Sequence, residues 1–467
     1  MTSIGTISEP LRIAIVGSGP AGFYAAEHLL KQSELEVQVD MFDRLPTPFG
    51  LVRFGVAPDH QKIKNVTRVF EKVASKGHFR FYGNVDVGQH VRLEDLERHY
   101  HQICFATGAQ TDRRLNIPGE DLERSHPATE FVAWYNGHPD FRDLEFDLSV
   151  EKVAVVGIGN VAIDVARILC RAPEELAQTD IADYALDALS RSRIKEVFIV
   201  GRRGPAQAAF TNAEIRELGE LPGADLIVLP EEAELDVLSQ AQLVEGDDIT
   251  LAKKVAIIQE FANGERRGKA KSLTIRFLVS PVELKGDAAG GVTSMRLVRN
   301  SLHRSDDGSL RPRATDVYED LDVDLVFRSV GYRGVPIAGL PFRDAWGVVP
   351  NEQGRVIDPD TKEARTGMYV SGWIKRGPSG VIGTNKPDAV ETVRAMLEDV
   401  ADGRLLQPRH PDPESVAELV VQRQPEFFSY DDWKRLDELE VARGRSEGRP
   451  RVKFTSIAEM LSHLGRS

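Results

Sequence analysis

The residues best placed to do chemistry are two glycine turns and the charged residues that follow them. Gly17-Ser18-Gly19-Pro20-Ala21-Gly22 fits G-x-G-x-x-G directly after the apolar run Leu11–Val16. In such a turn the first glycine makes the tight bend, the second lets backbone approach a pyrophosphate, and the third lets helix pack close to strand. A helix starting near Pro20 points its free N–H groups at the diphosphate. Asp43 closes the next strand-like run, Val37–Phe42, 26 residues after Gly17, where a carboxylate can accept the hydroxyls of an adenosine ribose. Asp40 competes for that role but sits mid-strand. The pattern reads as a dinucleotide-binding turn.

A second turn, Gly157-Ile158-Gly159-Asn160-Val161-Ala162, starts 140 residues after the first. Alanine in the third glycine position loosens helix–strand packing slightly and is an accepted variant. The next strand-like run, Glu196–Val200, ends in Gly201-Arg202-Arg203-Gly204, with no acid to hold a ribose diol. Two guanidiniums suit a 2′-phosphate through bidentate, charge-assisted bonds. The expected second nucleotide is therefore NADP(H) rather than NAD(H).

The elements around these turns alternate short buried strands with helices, the pattern of an α/β protein with parallel sheets. At roughly 150 residues per domain, a length of 467 suggests two or three domains. The chain changes character along its length. Residues 219–250 are acidic and punctuated by Pro and Gly, with Glu231, Glu232, Glu234, Asp236, Asp247 and Asp248. Residues 251–313 then hold 13 Lys/Arg against 6 Asp/Glu, and a Gly/Pro-rich region begins near Val330. Pro408, Pro411 and Pro413 mark a surface linker.

Composition removes several classes. With 41% hydrophobic and 28% charged residues the chain is ordinary for a globular protein, neither collagen-like nor disordered. A net charge of −13 argues against general nucleic-acid binding. The longest uncharged apolar stretch, Val153–Ile163, is too short to span a bilayer. Cys104 and Cys170 lie 66 residues apart, giving no CxxC pair and too few thiols for an iron–sulfur cluster. They read as buried thiols in a reducing compartment, and no metal site is expected. Met1–Pro10 carries neither a basic run nor a hydrophobic signal segment, so the cytoplasm is the expected location.

Longer blocks add a resemblance. Pro48-Phe-Gly-Leu-Val-Arg-Phe-Gly-Val-Ala-Pro-Asp-His60 resembles the adrenodoxin reductase-type ferredoxin–NADP reductases. So do Gly159–Arg167, Val200–Thr211 and Gly372-Trp-Ile-Lys-Arg-Gly-Pro-Ser-Gly-Val-Ile-Gly-Thr-Asn-Lys386. The blocks stand in family order, span residues 12 to about 390, and are most similar to the actinobacterial members. The likeness continues more loosely into Gly448–Lys453.

The resemblance implies two Rossmann-like dinucleotide-binding domains. A discontinuous FAD domain, 1–108 and 330–467, would enclose an NADP domain, 109–329, with Phe105-Ala-Thr-Gly108 as the crossing point. Carried over by motif, FAD contacts would come from Gly17, Gly19, Pro20, Ala21, Gly22, Asp43, Leu51 and Val87, with Trp373, Gly380, Val381 and Ile382 at the flavin end. NADP contacts would come from Arg113, Ile158, Gly159, Asn160, Val161, Arg202, Arg203, Glu214 and the Gly380 backbone. Two departures are small: Asp43 stands where the family commonly has Glu, and Ser379 where it has Thr.

The implied activity takes a hydride from NADPH onto FAD and releases single electrons to a ferredoxin or similar small iron–sulfur protein. Such transfer needs stacked rings in a dry site, and the organic chemistry belongs to the cofactors. His60 and Glu214 are the family's polar pair near the meeting point and the expected catalytic residues. Each also has a structural reading, His60 as a hydrogen-bonding residue of a Pro-rich loop and Glu214 as a first-turn acid of a helix after Thr211. Trp373 reads equally as flavin-adjacent packing or as a screen. An acidic ferredoxin would dock transiently on a basic patch, from Lys253, Lys254, Arg266, Arg267, Lys269 and Lys271, or near Arg216.

Rival classes fit less well. Flavin disulfide reductases need a CxxC pair, glutamate synthase small subunits need cluster cysteines, and no F-x-G-x-x-x-H linker of a flavoprotein monooxygenase is found. An NADPH-sensing flavoprotein, or a reductase for another one-electron acceptor, stays open as the alternative. A monomer is expected.

Overall fold

Short apolar runs buried on both faces become central parallel strands, and the chain uses two sets of them. The computed structural model describes residues 4–246 and 248–466, so the sequence readings on Met1–Ser3 and Asp247 fall outside the described residues. The chain divides into two units. One comprises Met1–Val56, His60–Thr111 and Gly331–Ser467; the other comprises Ala57–Asp59 and Asp112–Val330.

The first unit holds a seven-stranded sheet, in the order Asn351–Glu352, Arg355–Ile357, Ala364–Val370, Gln102–Phe105, Leu11–Val16, Val37–Phe42, Phe79–Tyr82. The last five are mutually parallel. Val16 pairs with both Phe42 and Phe105, so the glycine turn after Val16 and the acid after Phe42 leave the sheet at the same level. Helices Pro20–Leu29 and Asn385–Ala401 share a core through Ala25, Ala26, Ala389, Val393 and Met396. Asp40 is settled here as a structural residue. Its carboxylate, 1% exposed, accepts from Arg12 at 2.6 Å, Arg80 at 2.8 Å and the Tyr100 hydroxyl at 2.7 Å. A buried charge persists only when paired in this way.

The second unit holds a six-stranded, all-parallel sheet in the order Ser125–Pro127, Leu325–Arg328, Lys152–Val156, Glu196–Val200, Lys271–Arg276, Ala224–Val228. Strand alternation splits its two faces. Val153 and Val155 pack with helix Asn160–Cys170, whereas Ala154 and Val156 pack with Val279, Met295 and Leu297. The latter belong to a three-stranded antiparallel sheet, Val279–Gly286, Val292–Arg304 and Leu310–Asp322.

The acidic, Pro- and Gly-punctuated stretch is largely helical. It contains helices Pro230–Ala233 and Val237–Glu245 and leads into Ile249–Ala262. Two of its acids are N-caps: Asp236 accepts from the Leu238 and Ser239 N–H groups, and Asp248 from those of Thr250 and Leu251. Capping, rather than solvation alone, explains their type at those positions. Among the described residues no helix is long and apolar enough to cross a membrane, and no group of three or more His, Cys, Asp or Glu could hold a metal ion.

Candidate functional site

In the first unit each glycine of the turn has a separate steric reason. Gly17 sits at φ +107°, and a Cβ there would lie 2.4 Å from the Ala106 carbonyl oxygen. A Cβ on Gly22 would lie 2.1 Å from the Gly17 carbonyl oxygen. The middle glycine, Gly19, is the reverse: a Cβ would meet nothing within 4 Å. Two glycines are thus demanded by the protein itself, and the middle one leaves open the space in which turns of this kind take a pyrophosphate. Pro20 opens the helix, and Ala21 is buried beneath Gly372.

Asp43 is tied to that turn. One carboxylate oxygen accepts from Ser18 N at 2.8 Å and Ser18 Oγ at 2.5 Å, and the other from Leu45 N at 2.9 Å. A carboxylate has about four acceptor sites, so one is left for a ribose hydroxyl. The Asp43–Ser18 pair was not legible from the motif, in which Ser18 is an unconstrained x.

The loop after Asp43 covers the turn. Phe49 N donates to Ser18 O at 3.0 Å, and Phe49 adopts φ +85°, a strained value for an aromatic residue. Packing of its ring against Phe23, Phe70 and Trp433 holds it there. Leu51 begins the short helix Leu51–Phe54, whose Arg53 forms a bidentate pair with Glu440, at 2.9 and 2.5 Å. Glu440 is fully buried. Burial pushes its carboxyl up, but Arg53, then Arg451 and the Phe454 N–H, bring it below the usual glutamate value. The loosely family-like segment Gly448–Lys453 serves this clamp: Arg451 donates to Glu440 at 3.1 Å, and Lys453 to Arg53 O at 3.3 Å. Val87 is half-buried and bridged to Val91.

The Gly372–Lys386 loop is braced internally. Trp373 Nε1 donates to Ser379 O at 3.2 Å, and its ring lies 5.3 Å from that of Tyr332. Arg376 donates to the Ser379 carbonyl, to its hydroxyl at 3.0 Å and to Asn385 Oδ1 at 3.0 Å. Asp388 accepts from Gly372 N at 2.6 Å and pairs with Lys375 at 3.2 Å. Gly380 sits at φ +80°, Val381 is exposed and Ile382 half-buried. Arg376, Lys375, Asp388 and Tyr332 were missed as individual residues, since no spacing rule pairs a guanidinium with a carbonyl three residues on.

In the second unit the steric logic repeats. Gly157, at φ +133°, would place a Cβ 2.1 Å from Ser329 O, while a Cβ on Gly159 would meet nothing within 4 Å. Asn160 Oδ1 is buried without a hydrogen-bond partner among the described residues, an acceptor left over beside the turn. Ile158 is buried, Val161 half-buried and Arg113 exposed. The Arg202–Arg203 backbone is held by Asn300 Nδ2 donating to Arg202 O at 3.0 Å and by Leu278 N donating to Arg203 O at 3.2 Å. Arg203 is pushed below the usual arginine value by burial and then by Arg202 and Arg311.

His60 belongs to the first unit and Glu214 to the second. His60 is the N-cap residue of Gln61–Lys64, with its carbonyl accepting from Ile63 N at 3.0 Å. Asp59, just before it, accepts from Arg167 at 2.7 Å and from Arg171 at 2.7 Å. Glu214 closes a capping box: Thr211 N donates to its carboxylate at 2.7 Å, and Glu214 N donates to Thr211 Oγ1 at 3.4 Å. Three candidates for a basic docking patch are engaged inside the second unit. Lys254 donates to Ala208 O at 2.6 Å, Lys269 to Ala224 O at 3.1 Å and Lys271 to Leu169 O at 2.7 Å. Lys253, Arg266, Arg267 and Arg216 are exposed.

Comparison with known proteins gives the family. Residues 11–219 match the pyridine nucleotide-disulphide oxidoreductase family model. NADPH-ferredoxin reductase FprA of Mycobacterium tuberculosis is 46% identical over 461 residues, covering 97% of this chain and 99% of that protein. The chain belongs to the adrenodoxin reductase-type ferredoxin–NADP reductases. The mitochondrial NADPH:adrenodoxin oxidoreductase of Salvelinus fontinalis is 41% identical, over 98% of this chain and 92% of its own. The structure of M. tuberculosis FprA in complex with NADPH superposes with a TM-score of 0.91, covering 98% of this chain and 100% of that one. The broader family's disulphide chemistry has no counterpart in this reductase. Cys104 and Cys170 are both buried and free, and burial pushes each thiol up to about 12.

Proposed function

We propose that this protein is an FAD-dependent reductase that passes electrons from NADPH to a ferredoxin or similar small iron–sulfur protein. The observation that carries the reading is the pair of glycine turns with open middle positions, one followed by Asp43 and the other by Arg202 and Arg203. FAD supplies the conversion of a two-electron hydride into single electrons.

On this reading the first unit is the FAD domain. Gly17, Gly19, Pro20, Ala21 and Gly22 cradle the diphosphate, Asp43 takes a ribose hydroxyl, and Leu51 and Val87 add further FAD contacts. Trp373 with Gly380, Val381 and Ile382 holds the flavin end, in a loop that Arg376 and Asp388 keep rigid. The second unit is the NADP domain, with Ile158, Gly159, Asn160 and Val161 at the diphosphate, Arg202 and Arg203 at the 2′-phosphate, and Arg113 at the nucleotide's edge. Glu214 uses its capping contact to stay fixed while orienting the carboxamide. His60 steadies changing charge at the reacting rings without forming a covalent bond.

The ferredoxin is acidic, and its docking is transient, electrostatically steered and salt-sensitive. Of the basic candidates, Lys253, Arg266, Arg267 and Arg216 retain exposed charge for it. The protein works as a monomer in the cytoplasm, a placing supported by its two free thiols.

The test is to purify the protein, measure flavin per chain, and follow NADPH-driven reduction of a ferredoxin under anaerobic conditions. One FAD per chain with catalytic ferredoxin turnover is expected. FAD reduced by NADPH with no ferredoxin or other one-electron acceptor turning over would replace this reading with that of an NADPH sensor.

A further inference from the structure

The recess beyond strand Glu196–Val200 is not built by the glycine-turn unit alone. It has a volume of about 320 Å³ and is lined by Arg202 and Arg203 together with Asp307, Ser309 and Arg311. Asp307 and Ser309 come from the turn joining strands Val292–Arg304 and Leu310–Asp322, and Arg311 from the second strand of that hairpin. Three guanidiniums and one carboxylate thus share the space.

The carboxylate is already engaged. Asp307 accepts from Ser305 Oγ at 2.6 Å, Ser309 Oγ at 2.6 Å, Ser309 N at 2.9 Å and Arg311 Nη2 at 2.8 Å. These bonds, those of the two serines first, hold its carboxyl well below the usual range. Arg311 is fixed by the same network, since its Nε donates to Ser309 Oγ at 3.1 Å. Two of a guanidinium's five N–H donors are then used among the described residues, and three remain for a ligand. The hairpin strand is also bonded to the turn. Asn300 Nδ2 reaches both Arg202 O at 3.0 Å and Ser280 Oγ at 2.8 Å, which keeps Arg311 in register with Arg202 and Arg203.

Like charges gathered this closely oppose one another, and burial, then Arg202 and Arg311, weaken the hold of Arg203 on its proton. An anion relieves that repulsion. The position, past the end of the second strand of the nucleotide-binding unit, is where the adenosine ribose lies, so the anion is a phosphomonoester on that ribose. A phosphomonoester carries about −1.5 to −2 charge at neutral pH and three acceptor oxygens, enough for more than two guanidiniums.

We propose that Arg311 is a third guanidinium for the ribose 2′-phosphate, supplied by the hairpin and oriented for that task by Asp307 and Ser309. The proposal rests on the NADPH reading above. It makes nucleotide choice in this chain depend on a segment outside the glycine-turn motif.

The test is calorimetric titration of the flavin-loaded protein with adenosine 2′,5′-bisphosphate and with adenosine 5′-monophosphate. In Arg311→Gln the bisphosphate is expected to bind roughly 10- to 100-fold more weakly, the loss of one charge-assisted contact, with 5′-monophosphate affinity changed less than about twofold. Arg311→Lys is expected to recover part of the loss, because the charge returns without the fork. Bisphosphate affinity unchanged in Arg311→Gln, while Arg202→Ala loses it, would overturn the proposal and leave the NADPH reading intact. Equal weakening toward both probes would also overturn it, reducing Arg311 to a brace for the hairpin. A wild-type protein that binds both probes equally would instead sink the NADPH reading itself.

Discussion

The two glycine turns share a backbone plan and differ in what stands beside them. At the third position the first turn has Gly22, where a Cβ would meet the Gly17 carbonyl oxygen at 2.1 Å, and the second has the fully buried Ala162. At the neighbouring strand end the first has Asp43, three times hydrogen-bonded inside the protein. The second has Arg202 and Arg203 facing a recess with Arg311. A carboxylate already satisfied by the fold suits a neutral ribose diol, which needs one more acceptor. Guanidiniums that repel one another suit a ligand that brings negative charge. On the proposed reading, one turn geometry serves two nucleotides, and the charge of its neighbours decides which.

The strongest way to break this comparison is Gly22→Ala. The added methyl forces the helix off the strand, so the variant is expected to purify without its yellow flavin, read as loss of visible absorbance. Full flavin retention would mean that the third position does not distinguish the turns. Next is the double variant Arg202→Ala/Arg203→Ala. Losing two charge-assisted phosphate contacts should lower kcat/KM for NADPH by about 100-fold or more, while NADH use shifts only a few-fold.

Glu440→Gln probes the bracing that the first turn receives through the loop Leu51–Phe54. Breaking a buried pair while leaving Arg53 in place is expected to lower stability by about 3–5 kcal/mol, read as a fall in Tm. Because Glu440 titrates below its ordinary value when folded, its contribution is present above that ordinary value and lost as pH falls through the lowered one. The wild-type advantage should therefore shrink in acid. The smallest effect is expected from Ala162→Gly, about 1 kcal/mol of helix propensity with nucleotide binding retained, measured by thermal melting.

Much of this was legible in the sequence because it depends on local rules. Leu11–Val16, Val37–Phe42, Lys152–Val156 and Glu196–Val200 are apolar runs closed by glycine or charge, and each is a parallel strand with those bounds. The glycines were readable because steric demand at a positive φ leaves little choice of residue. What could not be read are pairings across long stretches of chain. Arg53 with Glu440, and Arg203 beside Arg311, are joined by topology and not by spacing. The role of single acids in the acidic stretch was not readable for a related reason: a capping aspartate such as Asp236 and a solvated one are the same letter until the helix behind it is known.

If charge beside the second turn selects NADPH for an enzyme whose flavin sits on the first, NADPH and NADH must reduce that flavin at very different rates. The most direct test is anaerobic stopped-flow mixing of the oxidised protein with NADPH or NADH at equal concentrations, followed at the flavin band. Bleaching by NADPH should exceed that by NADH by about 100-fold or more, the scale of the 2′-phosphate contacts, and added ferredoxin should restore the oxidised band. Equal rates with the two nucleotides would mean that Arg202 and Arg203 do not select the nucleotide.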